Sequence, residues 1–111
     1  MDIKKLNDDF AVTGQVFPEQ MQEIAGRGYR AIICNRPDNE APGQPDFATI
    51  RMAAQQAGLE VRYIPIVHGA AGLKEFRATE EALQTLPKPI LAYCHSGRRS
   101  SFIHDMVTES A

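Results

Sequence analysis

Four short apolar segments alternate with stretches of helical spacing, and this order constrains the fold more than any other feature. The segments are Phe10 to Thr13, Tyr29 to Cys34, Leu59 to Ile66 and Ile90 to Tyr93. Each is short enough for a strand buried on both faces. Between them the apolar residues recur at helical spacing. Pro18 opens the first helix, with Met21, Ile24 and Ala25 as its stripe and Gly26 and Gly28 as its stop. Asp46 caps a second helix that presents Phe47, Ile50, Ala53, Ala54 and Ala57 on one face. A third runs from Leu73 to Leu86 with Leu73, Phe76, Leu83 and Leu86 inward, and a fourth from Ser100 to about Thr108. Helical crossovers make neighbouring strands parallel. The expectation is an α/β fold with a central, mostly parallel sheet flanked by helices. In such sheets ligands bind at the C-terminal ends of the strands. Two loops fall there, one after Cys34 and one beginning at Cys94.

The 111 residues suffice for a single domain, 1–111. A net charge of −2 argues against a general nucleic-acid or anionic-membrane partner. The two cysteines, Cys34 and Cys94, form no CxxC pair, so a reducing, cytoplasmic setting fits better than a secreted disulfide scaffold. No apolar run approaches the ~20 residues of a membrane span, and no apolar segment follows Lys4 and Lys5 to make a signal peptide. Cys34, Cys94, His68, His95 and His104 show no metal-ligand spacing, so neither metal nor cofactor is expected.

The segment from Tyr93 to Ser101, YCHSGRRSS, carries the chemistry. A cysteine ends a buried strand, a tight turn with Gly97 follows, and serines open a helix. Amides of such a turn converge into an anion-binding nest, and the helix N-terminus adds its own N–H groups and dipole. Arg98 and Arg99 add guanidinium charge. The same field stabilises a thiolate and brings a cysteine pKa from ~8.5 to below ~7. Cys94 is therefore the candidate nucleophile. One of Arg98 and Arg99 is the expected anion clamp (Arg99 on the resemblance described next), with His95, Ser96, Gly97, Arg98 and Ser100 around the substrate. A purely structural turn has no need of two arginines.

The loop from Cys94 to Ser100 resembles the active-site loop of rhodanese-type sulfurtransferases. Val12-Thr13-Gly14-Gln15, the run from Ile32 to Asp38 and Ala92-Tyr93-Cys94 resemble the phosphatase-like domain of beta-lactamase-hydrolase-like proteins. That similarity spans nearly the whole chain, and Cys34-Asn35-Arg36-Pro37-Asp38 is its most specific part. It implies a cysteine-phosphatase-like fold, related to the dual-specificity phosphatases. Activity in the family is described both as phosphatase-like and as sulfur transfer. It also implies a persulfide-oxidising enzyme as a partner.

Departures from the phosphatase pattern favour sulfur transfer. Phosphatases of this kind place His before the cysteine and Arg after five further residues. Here Tyr93 precedes Cys94, Arg99 follows after four, and Ser100 holds the phosphatase arginine's place. The loop from Val67 to Gly72 lacks the aspartate that would protonate a leaving oxygen. His68 and Asp38 are the candidate substitutes. Sulfur transfer between thiolates needs no acid. The leading expectation is thus a rhodanese-like sulfurtransferase that moves a persulfide sulfur through Cys94, from a small-molecule sulfur donor to a thiol acceptor. The alternative is a protein-tyrosine or dual-specificity type phosphatase acting on a phosphate ester. Asn35 and Arg36 are expected to border the pocket. Cys34 is either a resolving thiol, if its strand pairs with that of Cys94, or an inert core cysteine.

Overall fold

The computed structural model describes residues 1–110, so Ala111, the last residue of the expected domain, lies outside the described residues. Five strands form one mixed sheet: β1 (Lys4–Asn7), β2 (Phe10–Thr13), β3 (Ala31–Cys34), β4 (Glu60–Tyr63) and β5 (Ile90–Tyr93), in the order β1-β2-β5-β3-β4. The helices are α1 (Met21–Gly26), entered through a 3-10 turn at Pro18–Gln20, α2 (Phe47–Gln56), α3 (Leu73–Thr85) and α4 (Arg98–Glu109). No helix among the described residues is long and apolar enough to cross a membrane.

Strands β2, β5, β3 and β4 are mutually parallel, as the alternation of elements requires. Every residue of β2, β3 and β5 is buried. Side-chain alternation then divides them between two cores. Ala11, Ile32, Cys34, Leu91 and Tyr93 pack with Met21 and Ile24 of α1 and Ile50 and Ala54 of α2. Phe10, Val12, Ala31, Ile33, Ile90 and Ala92 pack on the other face with Ala82 of α3 and with Leu86. On that second face the His104 ring of α4 stacks on Phe10 with centroids 4.2 Å apart. Asp46 caps α2 by accepting the Thr49 N–H at 2.9 Å, as its position predicts.

Three sequence expectations need correction. Strand β1 was not foreseen: it pairs antiparallel with β2 at the sheet edge, and only Leu6 in it is even half-buried. A strand with so little burial carries no apolar alternation to read, and its two lysines suit an exposed edge. Strand β4 is shorter than Leu59 to Ile66, because Pro65 has no N–H for a ladder; instead Ile64 and Ile66 donate to the carbonyls of Cys34 and Asn35. Leu73, expected inward, is 64% exposed. Thr79 and Ala82 are the buried residues of α3, and both are small enough for a close approach to the sheet and α4.

These burial differences set a stability test. Ile32→Ala, at a fully buried site between α1 and α2, should cost ~2–5 kcal/mol, whereas Leu73→Ala should change stability by no more than ~0.5 kcal/mol. Urea unfolding midpoints of the two variants check both values.

Candidate active site

Three parallel strands end together. Thr13 and Cys34 both sit beside Tyr93 in the register, so the segments after β2, β3 and β5 leave the sheet at one level. Cys94 is the first residue beyond β5 and is buried. The turn after it packs directly on the end of β2. Cys94 N–H donates to the Thr13 carbonyl and Gln15 N–H to the His95 carbonyl, each at 3.4 Å. A side chain at Gly14 would bring its Cβ within 2.9 Å of that His95 oxygen, so only glycine allows this approach. Gly97, at φ 92°, turns the chain through the left-handed region into α4.

This turn directs N–H groups at the Cys94 sulfur. Gly97 N–H donates to Sγ at 3.0 Å. Burial pushes the thiol pKa up, but the amides of Ser100, Ser96 and Arg99 around the sulfur outweigh it. The net effect places the Cys94 pKa below that of a free thiol. Ser100 itself is fully buried.

Arg99 lies on the buried side of α4. Its Nη1 donates to Glu40 Oε2 at 2.7 Å and to the Ile66 carbonyl at 2.8 Å, and its Nη2 donates to Glu40 Oε1 at 2.9 Å. Glu40 Oε1 also accepts from Arg36 Nε at 3.0 Å, while Arg36 Nη1 donates to Gln15 Oε1 at 3.0 Å. One carboxylate thus ties the loop after β3 to the start of α4. Hydrogen bonding by Arg99 and then Arg36 holds the Glu40 pKa down at about 2. Because the folded value lies below the unfolded ~4.3, this tie is fully present above that pH and is lost as pH falls toward 2.

Glu40 was not among the residues singled out from the sequence. A search for a proton donor passes over a carboxylate whose work is to neutralise arginines. Two arginines at a buried strand end are the signal that a counter-ion must stand nearby.

Of the other expected site residues, His95, Ser96 and Arg98 are exposed on the turn, and Gly97 is its buried pivot. Arg98 takes no part in the Glu40 tie and lines a cavity together with Arg99, Ile66 and Phe102. Asn35 is buried, and its Nδ2 donates to the Ile64 carbonyl at 2.9 Å, so its amide braces the segment that follows β4. Asp38 is not an acid beside Cys94: its carboxylate accepts the Phe47 N–H at 2.8 Å and so joins the first turn of α2. His68 is exposed and shares a cavity with Arg36, Glu40, Ala41 and His95. Cys34 does end the strand next to β5, but the register pairs it with Tyr93 and packs it in the α1/α2 core. Its thiol donates to the Arg36 carbonyl at 3.3 Å, and burial pushes its pKa up to about 11. That suits a core cysteine better than a resolving thiolate.

A sheet of this order, with a low-pKa cysteine after its central strand and an arginine in the first turn of the following helix, defines a cysteine-phosphatase-like α/β fold. The chain belongs to the family described as "Beta-lactamase hydrolase-like protein, phosphatase-like domain", whose model matches residues 2–111. It is 33% identical over 104 residues to a beta-lactamase hydrolase-like protein of Xylella fastidiosa (strain Temecula1), covering 94% of this chain and 24% of that protein. The chain therefore spans about a quarter of the length of the curated relatives it matches. A crystal structure of a candidate phosphatase from Neisseria meningitidis Z2491 superposes with a TM-score of 0.86 at 32% identity, covering 94% of this chain and 74% of that one. A P. aeruginosa protein solved in complex with phosphotyrosine shares the fold, with a TM-score of 0.71 at 12% identity over 99% of this chain and 65% of its own. The comparisons support the phosphatase side of the sequence expectation more than its sulfurtransferase side.

The two cysteines should separate by reactivity. Cys94 should alkylate with iodoacetamide at neutral pH, and Cys34 only as pH approaches about 11. Mass spectrometry of the peptides across a pH series checks the order. Glu40→Gln keeps the shape but removes the charge, and should lower turnover by about tenfold or more through a loosened Arg99. An unchanged kcat/KM would show that Glu40 does not position Arg99.

Proposed function

We propose that this chain is a cysteine-dependent hydrolase of phosphate esters, with Cys94 as nucleophile and Arg99 as oxyanion clamp. The observation that carries this reading is the set of amides converging on the Cys94 sulfur. The same ring that steadies a thiolate can bind the oxyanion of the group it attacks. In the first step the thiolate attacks phosphorus, the phosphorus–oxygen ester bond breaks, and the leaving oxygen departs with the bonding pair. Water then attacks the phosphocysteine, releasing orthophosphate and the Cys94 thiolate. Glu40 and the Ile66 carbonyl hold Arg99 through Nη1 and one N–H of Nη2, and the remaining Nε and Nη2 N–H groups stabilise charge on the phosphoryl oxygens. Family membership and the Neisseria meningitidis structure support a hydrolase of this type.

The proton for the leaving group distinguishes this site. Asp38 is engaged with α2, and Glu40 is held ionised between two arginines. Histidines at the mouth, His68 and His95, are the remaining side-chain donors. Aryl phosphates, whose leaving oxygen needs little protonation, are therefore the favoured substrates. The phosphotyrosine bound by the P. aeruginosa fold relative is of this chemical type.

Sulfur transfer is the second reading, favoured by one specific observation: Arg99 follows Cys94 after four residues, leaving a tighter ring than the five-residue spacing gives. In that reaction the thiolate attacks the outer sulfur of thiosulfate, sulfite leaves, and Cys94 carries a persulfide. A thiolate acceptor then takes the outer sulfur and restores Cys94. Neither reaction uses a cofactor.

One preparation tested with both substrate classes separates the readings. Hydrolysis should fall by ~10²-fold or more from aryl to alkyl phosphates, and Cys94→Ser should abolish it. Turnover of thiosulfate with a one-sulfur mass gain on Cys94, in the absence of aryl phosphate hydrolysis, would replace the first reading by the second.

A further inference from the structure

Two cavities of about 310 and 370 Å³ adjoin beside the Cys94 turn and share Arg36, Ala41 and His95. Together they form a trough leading away from the site of attack. Its inner wall is Arg36, a largely buried arginine that lines both cavities. Nε and Nη1 of Arg36 are used by Glu40 and Gln15, while Nη2 has no hydrogen-bond partner among the described residues. His95, on the turn itself, lines both halves, and His68, from the loop after β4, lines one. Among the described residues Glu40 is the only acid lining the trough, and Arg99 already engages both of its oxygens. Arg36, Arg99 and Glu40 leave one net positive charge, in a chain whose overall charge is −2. The polar N–H inventory here exceeds what the protein itself consumes.

We propose that this trough is a second anion subsite, with Arg36, His68 and His95 as specificity-determining residues. It selects substrates that carry another phosphate or carboxylate group beyond the one bound by the Cys94 turn. The inference rests on the proposed function in one respect: the first anion must occupy the turn. The hydrogen-bonded chain from Arg99 through Glu40 to Arg36 places the two anion sites side by side. Glu40 sits between them and keeps the two guanidinium groups from repelling each other. A singly anionic ligand fills the turn and leaves the trough to water. A ligand with two separated anions engages both.

Protection of Cys94 from iodoacetamide reads occupancy of the turn without requiring turnover. The probes are orthophosphate, phenyl phosphate, 4-carboxyphenyl phosphate and tripolyphosphate, at fixed ionic strength. In the wild-type protein the carboxylated ester should protect at about tenfold lower concentration than phenyl phosphate, and tripolyphosphate at about tenfold lower than orthophosphate. His68→Ala/His95→Ala should reduce both ratios, and Arg36→Met should bring them close to one. Cys94 alkylation at neutral pH in each variant shows that the turn is still formed. If all four probes protect and the paired ratios stay within twofold in the wild-type protein, the trough is not an anion subsite. Ratios of tenfold that survive Arg36→Met would overturn the assignment to these residues. Failure of every probe to protect would instead overturn the reading of the turn as an oxyanion site, and with it the proposed function.

Discussion

A sulfur that carries charge inside a protein has to be compensated by N–H groups, and the local architecture follows from that requirement. Desolvation alone would keep Cys94 protonated. The turn after β5 reverses this by aiming amides from Ser96 to Ser100 inward. That turn can form only if Gly97 takes a left-handed conformation and Gly14 leaves room for the His95 carbonyl. The glycines, the strand ends and the start of α4 therefore serve one electrostatic purpose. Cys34, one strand away, shows the opposite outcome. It is buried to a similar depth, lacks a ring of amides, and has its pKa pushed up to about 11.

The guanidinium of Arg99 poses the complementary problem. A buried cation needs a counter-ion, yet a counter-ion at the reacting position would exclude substrate. Glu40 resolves this by holding Arg99 through Nη1 and Nη2 from the loop after β3. The link also makes that loop part of the site, although its chemistry-bearing residue, Asp38, is committed to α2. For the proposed reaction this arrangement suits attack on an anion and makes little provision for protonating what leaves. This bias explains why aryl phosphates and sulfane sulfur are both chemically reasonable substrates for one pocket.

Much of this was legible in the residues. The order of strands and helices, the parallel sheet, the Asp46 cap and the strand–turn–helix around Cys94 depend on local patterns of burial, capping and glycine. The misread elements lacked a local signal. Strand β1 is almost entirely exposed, and Leu73 has the periodicity of an inward residue without a surface to cover it.

Sequence by itself determined that Cys94 stands at the end of a buried strand and at the entrance to a helix, because apolar runs, Gly97 and the following polar residues specify those elements within a few positions of one another. Only the tertiary structure decided which charges meet. Glu40 lies 59 positions from Arg99, and nothing in the local pattern of either residue links them. Sheet register likewise decided that Cys34 sits beside Tyr93 in the α1/α2 core. A shift of one residue between parallel strands would alter that pairing without changing the apolar character of either strand.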